Sequence, residues 1–259
     1  TGAWLAPIWA FCLALLNKFK GEKTRLIYFI VFILCTSIIV SLNLINSRGA
    51  WLGVIISLPI IYGRKVLFWL IPTLTIFGVL LILSTFTWLP LSIQESLTLI
   101  IPNNISSNFS NLSLSYENIP RLHIWINALK LISQKPFFGW GAGSFPLIYL
   151  SQDAIWKGHP HNLFLELSIS YGTISSILIF IFFFILIINS IKSHLEDKSS
   201  IQNIFERAWI AAAIISFTLQ QFDITYFDSR ISITFWILLA GLRSIIYKDN
   251  NNISRNKVT

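Results

Sequence analysis

Long apolar stretches separated by short charged connectors dominate the pattern along the chain. A helix needs about 20 apolar residues to cross a hydrocarbon core of roughly 30 Å, and on this basis we predict about seven spans. They run from Gly2 to Leu16, Leu26 to Ile45, Ala50 to Tyr62, Val66 to Trp88, Asn162 to Ile191, Ala208 to Phe222 and Ile231 to Tyr247. The pattern therefore predicts an all-α fold, a polytopic transmembrane helix bundle.

The composition also indicates a membrane protein and excludes a soluble globular domain. Of the 259 residues, 54% are hydrophobic and 12% are charged, whereas soluble chains carry roughly 25% charged residues. The chain lacks Met and enters an apolar run almost directly after Thr1, so we expect it to be the C-terminal portion of a longer protein. Cys12 and Cys35 both lie inside apolar runs, which favours neither a disulfide nor a thiolate metal site.

The positions of the basic residues predict how the bundle is oriented. Most of the 19 basic residues fall in alternate connectors, which the positive-inside rule assigns to the cytoplasm. These are Lys18, Lys20, Lys23, Arg25, Arg64, Lys65, Lys192, Lys198, Arg207, Arg243, Lys248, Arg255 and Lys257. The others, on the external side, are Arg48, Arg121, Lys130, Lys135, Lys157 and Arg230. The net charge of +8 therefore reflects membrane orientation rather than nucleic-acid binding.

The predicted spans divide the chain into four parts. Residues 1–88 hold the first helices, residues 89–160 a periplasmic loop, residues 161–247 the last helices and residues 248–259 a cytoplasmic tail. An amphipathic helix is predicted within the loop near residues 120–134, because a first-turn proline precedes apolar residues spaced by three and four. The apolar stripe of this helix either lies in the interface on the external side of the membrane or packs on protein.

Two arginines on the external side are candidates for binding an anion. Arg48 lies in a tight turn before the apolar run 50–62, which is too short for a full crossing, so the turn is expected below the outer surface. An arginine that only snorkels to the interface is the alternative. Arg121 opens the predicted amphipathic helix, where arginine and exposed helix N–H groups together suit phosphate. There the alternative is a solvated loop arginine.

A second group of candidates lies where the loop re-enters the membrane. Histidine side chains can accept and donate protons near neutral pH, so His159 and His161 are candidates for proton transfer, and Asn162 and Glu166 follow on one helix face. Glu166 is expected to orient a histidine, to pair with an arginine or to be shielded among helices. A metal site is discounted, because Pro160 separates the histidines and no second pair has ligand spacing.

Three groups of motif residues share the predicted external side. They are Ser47-Arg48-Gly49-Ala50, then Arg121 with Trp125, Ala128 and Pro136-Phe137-Phe138-Gly139-Trp140-Gly141-Ala142-Gly143, and then His161-Asn162 before a helix. His161-Asn162, nine residues and Gly172 resembles the His-Asn-x9-Gly signature of O-antigen ligases and related protein O-glycosyltransferases. Ser175 departs from that signature, which often has Gly there. From Leu44 to about Ser176, the chain resembles the O-antigen ligase and O-antigen polymerase-related family of bacterial membrane proteins.

This resemblance implies a glycosyltransferase of the bacterial inner membrane. Such a protein transfers a glycan from an undecaprenyl-diphosphate carrier to an acceptor hydroxyl, on a glycan or a lipid, at the periplasmic face. It needs no metal and no other cofactor, and it has no nucleic-acid partner. Ligase and polymerase both remain open. A membrane transporter, or an inactive fragment, is the alternative to a transferase.

The resemblance also implies roles for individual residues. Arg48 and Arg121 would bind the diphosphate, and His161 would accept the proton of the acceptor hydroxyl. Further expected residues are His159 and Glu166 in support of the base, and Asn162, Gly141 and Gly143 in substrate binding.

Overall fold

Helices make up all the regular structure in the part of the chain that the computed structural model describes, namely residues 2–19, 25–45, 47–84, 120–153, 156–195 and 201–256. In chain order they are α1 (Gly2–Lys18), α2 (Arg25–Leu44), α3 (Arg48–Tyr62), a 3-10 turn (Arg64–Val66), α4 (Leu67–Ser84), α5 (Pro120–Gln134), α6 (Phe145–Asp153), α7 (Leu163–Tyr171), α8 (Thr173–Leu195), α9 (Ile201–Gln220) and α10 (Ser229–Asn256). The all-α class is confirmed for these residues.

Three of the described helices are long and apolar enough to cross a membrane. The crossing segments are Arg25–Leu44, Thr173–Lys192 and Ser229–Lys248. α1 and α3 are apolar but shorter, with 17 and 15 residues. These three helices indicate a membrane protein. The larger number of about seven spans stays a prediction.

The span predicted from Asn162 to Ile191 is divided into two helices. α7 ends at Tyr171, Gly172 adopts φ +87°, and α8 begins at Thr173. A residue in the left-handed region cannot continue an α-helix, and glycine adopts this conformation most readily. Because the apolar pattern continues through the break, hydrophobicity alone does not reveal it. The structure corrects the prediction of one continuous helix.

Two other helices extend into regions predicted as polar connectors. α9 begins at Ile201, before the predicted start at Ala208, and α10 continues to Asn256, beyond the predicted end at Tyr247. Much of the predicted tail, residues 248–259, is therefore helical. Apolar runs mark only the part of a helix that suits lipid, whereas backbone hydrogen bonding also continues through polar residues.

Small residues allow close helix packing in the first compact unit, residues 1–63 and 128–259. α9 packs against α1 and α3. The alanines at 211–213 of α9 are fully buried, and a Cβ on Gly53 of α3 would lie 3.2 Å from the Cα atom of Ile215. Side chains this small let helix backbones approach each other, as is common in membrane bundles.

Aromatic residues join α8, α9 and α10 in the same unit. Phe183 of α8 stacks on Phe235 of α10, with ring centroids 4.9 Å apart. The indole N–H of Trp209 in α9 donates a hydrogen bond to the Leu238 carbonyl at 2.8 Å. Gly241 leaves the space that this indole ring fills. The three helices are thereby held in fixed register.

The second compact unit comprises residues 64–127 and contains the 3-10 turn, α4 and the first half of α5. Phe68 and Trp69 of α4 are largely exposed, which suits side chains that face lipid. The first part of the predicted periplasmic loop, residues 89–119, lies outside the described residues. α5 covers the residues for which the amphipathic helix is predicted.

Candidate active site

The site is built around the start of α7, where Asn162 is the N-cap residue. Its Oδ1 atom accepts a hydrogen bond from the backbone N–H of Leu165 at 3.1 Å. Its Nδ2 atom donates to the carbonyl of Gln221 at 3.3 Å, just beyond the end of α9. Asn162 therefore satisfies an N–H group of the helix start and fixes α7 to the end of α9.

The other end of α7 is held by the glycine-rich loop, residues 136–143. The N–H of Trp140 donates to the carbonyl of Ile169 at 2.7 Å, and the N–H of Gly141 donates to the carbonyl of Ser170 at 3.1 Å. These carbonyls belong to the last turn of α7, which lacks partners within the helix. The loop therefore caps the helix.

Two glycines make this contact possible. Gly139 and Gly172 have φ values of +68° and +87°. A Cβ on Gly172 would overlap the carbonyl of Phe137, and a Cβ on Gly139 would overlap the carbonyl of Ile169. The nine residues between Asn162 and Gly172 therefore form one short helix, α7, and both of its ends are fixed.

The two histidines lie side by side because the chain turns at Pro160. His161 has φ +54°, which is uncommon for a residue with a side chain. Its backbone N–H donates to the Nδ1 atom of His159 at 3.3 Å. The ring centroids are 4.4 Å apart, with an interplanar angle of 72°. Pro160 is buried, and it brings the two rings together rather than keeping them apart.

Asp223, in the loop after α9, faces both histidines. Its Oδ1 atom lies 3.3 Å from the Nδ1 atom of His161 and 3.7 Å from the Nε2 atom of His159. A carboxylate beside Nδ1 favours the tautomer of His161 that carries its proton there. The Nε2 lone pair is then able to accept a proton. A histidine base with an acid that orients it is a recurrent catalytic arrangement.

Burial and charge determine the protonation of His159. Its side chain is 23% exposed, whereas that of Asp223 is 61% exposed. Burial lowers the pKa of His159 below the ordinary value of 6.5, electrostatic repulsion from the neighbouring His161 imidazole lowers it further, and Asp223 opposes both effects. His159 is therefore neutral at pH 7, which agrees with the hydrogen bond that its Nδ1 atom accepts.

The sequence analysis missed Asp223. The residue directly follows the predicted span that ends at Phe222, on the same external side as Arg230. An ionisable residue at a membrane mouth is a functional candidate, so this placement is a usable signal. Apolar patterning cannot tell Asp223 from Asp228, which in the structure pairs with Arg230 at 3.0 Å.

Arg48 is the first residue of α3, and its side chain is exposed. The next residue, Gly49, is buried against Phe222, since a Cβ at Gly49 would lie 3.0 Å from the Cβ of Phe222. Phe222 immediately precedes Asp223. The turn after α9 therefore connects the Arg48 end of α3 with the two histidines.

Arg121 is the second residue of α5 and belongs to the other compact unit. Its side chain is exposed, as a site for an anion from outside requires. The expectation that Arg48 and Arg121 bind one diphosphate stays a prediction.

Glu166 is a buried carboxyl group, with only 1% exposure. Its Oε1 atom accepts a hydrogen bond from the hydroxyl of Ser170 at 3.0 Å, and its Oε2 atom has no hydrogen-bond partner within the described ranges. Among those residues, Glu166 therefore bonds to its own helix rather than to a histidine or an arginine. This arrangement fits the expectation of an acid shielded among helices.

Gly141 and Gly143 lie in an exposed turn before α6, with φ values of +102° and +69°. The N–H of Gly141 is already bonded to Ser170, so it helps to cap α7. Their expected contact with substrate stays a prediction.

The helices and the site together define a class of protein, an integral membrane protein with a histidine–aspartate pair suited to acid–base chemistry. Residues 30–181 match the family described as O-antigen ligase. The chain belongs to this family, which confirms the resemblance seen in the sequence. Membership supports a glycosyltransferase of the O-antigen ligase or polymerase type that acts on lipid-linked glycans in a membrane. No curated protein matches the chain.

The matched range includes Arg48, Arg121, His161 and Gly172, whereas Asp223 lies beyond it. The family match therefore bears on the histidine but not on its acidic partner. Only the three-dimensional contact connects the two.

Proposed function

We propose that the protein transfers a glycan from undecaprenyl diphosphate to an acceptor hydroxyl at the periplasmic face, with His161 as the general base. The observation that carries this proposal is the 3.3 Å separation between His161 Nδ1 and Asp223 Oδ1. This separation is long for a hydrogen bond to a charged group, but such bonds commonly tighten only when substrate binds.

The reaction is a displacement at the anomeric carbon of the glycan. The acceptor oxygen forms a bond to this carbon while the bond from the carbon to the diphosphate oxygen breaks. His161 Nε2 takes the hydroxyl proton, and the undecaprenyl diphosphate leaves with the electron pair of the broken bond. Asp223 stabilises the imidazolium that forms and keeps the ring in the productive tautomer. The step uses side chains alone and needs no metal.

The arginines bind the leaving group in this proposal. Negative charge grows on the diphosphate as its bond to the sugar breaks, and preorganised positive charge lowers the energy of that state. Arg48 and Arg121 supply it, because a guanidinium group matches two phosphate oxygens at once. The exposed side chains of both residues support this role.

The positions of helix ends support a site on one side of the membrane. The start of α3 packs on Phe222, and the start of α7 bonds to Gln221 and Asp223. A Cβ on Gly2, at the start of α1, would lie 2.9 Å from the Oγ atom of Ser47, so α1 begins beside the start of α3. Lys18 lies at the other end of α1, and Arg64 follows the other end of α3. The positive-inside rule assigns those basic ends to the cytoplasm, so we assign the histidines to the periplasm.

Analysis of lipid-linked glycans in a deletion strain tests the function. Full-length polymer on the carrier would identify a ligase, and single repeat units would identify a polymerase. Complementation with wild type should remove the accumulated glycan, whereas a His161→Asn variant at equal abundance should not. If the deletion strain accumulated no carrier-linked glycan, the proposed reaction would be wrong.

A further inference from the structure

We propose that His159, His161 and Asp223 form a binding site for a divalent metal ion of the zinc type. One ligand atom from each residue lies within 4.8 Å of the others. Two imidazole nitrogens and one carboxylate oxygen are a ligand set that zinc and its first-row neighbours favour. The site goes beyond the transferase reaction, which uses the same residues without a metal.

The distances fit a metal site better than a strong hydrogen-bond network. Ligands at the usual 2.0–2.1 Å from a tetrahedral zinc ion are about 3.3–3.4 Å from one another. The carboxylate oxygen of Asp223 lies 3.3 Å from His161 Nδ1 and 3.7 Å from His159 Nε2. A charge-assisted hydrogen bond is shorter, at about 2.7–2.9 Å. Small side-chain adjustments would therefore complete the coordination.

The backbone holds the ligands ready for this. The buried Pro160 and the φ value of +54° at His161 fix the turn that places both rings on the same carboxylate. All three side chains remain partly exposed, so an ion can enter from solvent and keep water as its fourth ligand. When Nε2 of His159 binds the metal, the neutral ring carries its proton on Nδ1. This Nδ1 atom can then no longer accept the 3.3 Å hydrogen bond from the His161 N–H, so the metal bond replaces that hydrogen bond.

Bound metal would also affect glycan transfer, an inference that rests on the proposed function. The ion would occupy Nδ1 of His161, and the neutral ring then carries its proton on Nε2. His161 could not accept a proton from an acceptor hydroxyl in that form, and Asp223 would be neutralised. Metal of this class should therefore inhibit transfer rather than assist it.

The test is a calorimetric titration of the detergent-solubilised chain, without a histidine tag, with Zn²⁺. We expect one zinc ion per chain. His159→Ala and Asp223→Asn should each weaken binding by at least the roughly 10- to 100-fold that follows loss of an outer-shell partner. Asp228→Asn and His123→Ala, outside the cluster, should bind as wild type does. A Co²⁺ spectrum with tetrahedral character would support the same geometry.

Absence of stoichiometric zinc binding would overturn the site, and so would binding that is equal in wild type, His159→Ala and Asp223→Asn. Thermal unfolding of each variant shows whether the fold is intact, and the isosteric Asp223→Asn change keeps the comparison valid if His159→Ala is unstable. The binding result is independent of transfer. If the wild-type chain bound no zinc while His161→Asn lost transfer, only the metal site would be rejected. If the wild-type chain bound zinc while His161→Asn kept full transfer, only the role of His161 as the base would be rejected.

Discussion

The Nδ1 atom of His161 lies 3.3 Å from the Oδ1 atom of Asp223, although 62 positions separate the two residues in the chain. The contact joins the start of α7 to the loop after α9. It gives His161 a neighbour that can hold its proton on Nδ1, and so connects the fold directly with the proposed chemistry.

Replacing Asp223 by Asn should slow glycan transfer by about 10- to 100-fold. This is less than the loss expected when the general base itself is removed, because Asp223 only orients and stabilises the base. The amide removes the charge that stabilises the imidazolium and no longer favours one tautomer. Initial transfer rates at matched protein levels measure the effect. Asp228→Asn is the matched control, since Asp228 pairs with Arg230 instead, and it should keep nearly the full rate. Equal rates for the two variants would count against the orienting role.

Gly172→Ala should destabilise the fold more than Gly143→Ala. Both positions have positive φ, which costs a residue with a side chain about 1–3 kcal/mol. At Gly172 the added Cβ would also overlap the Phe137 carbonyl, whereas at Gly143 it would meet open space. Thermal unfolding in detergent measures the difference. Equal stability of the two variants would show that the loop contact with α7 is not rigid.

His159 should make the protein less stable at acidic pH. Its pKa in the folded protein is lowered from 6.5, so the unfolded chain binds the proton more strongly. The contribution of His159 to the free energy of unfolding is therefore fully present when the pH is above the pKa of His159 in the unfolded chain. It is lost as the pH falls from about 6.5 toward the pKa in the folded protein. His159→Gln should lose less stability than wild type between about pH 8 and pH 5. Unfolding midpoints with the same pH dependence in both proteins would contradict this.

Arg48→Lys and Arg121→Lys should each reduce transfer although the charge is kept. Lysine cannot bind two phosphate oxygens with the planar geometry of a guanidinium group. Lys157→Gln, which removes an external charge outside the motifs, should have a small effect. Rates with a lipid-diphosphate donor provide the comparison. If both lysine variants were fully active, a bidentate clamp by these arginines would be excluded.

The sequence predicts the helical class and offers His161 as the candidate base because both inferences depend on local patterns. Apolar runs locate α2 and α3 to within a few residues, and the His161-Asn162 motif identifies the family. The break at Gly172 is harder to predict, since it depends on a distant loop that occupies the space a side chain would need. A break in backbone direction leaves no mark on hydrophobic periodicity.

The partner of His161 could not be chosen from the sequence alone. Asp223 and Asp228 are both polar residues of the connector after α9, and only packing decides which one meets the histidine. The effect of Pro160 also depends on tertiary packing. Proline prevents His159 and His161 from lying in one helix, but the buried turn at Pro160 places the centroids of their rings 4.4 Å apart.

The most direct measurement is the initial rate of glycan transfer by His161→Asn at saturating donor and acceptor. Asn tolerates the positive φ at this position better than most residues but cannot act as the base. The account predicts a loss of about 100- to 10,000-fold, with carrier binding and thermal stability near those of wild type. His161→Ala should lose transfer to the same extent. Transfer at the wild-type rate by a stably folded His161→Asn variant would contradict the assignment of His161 as the base.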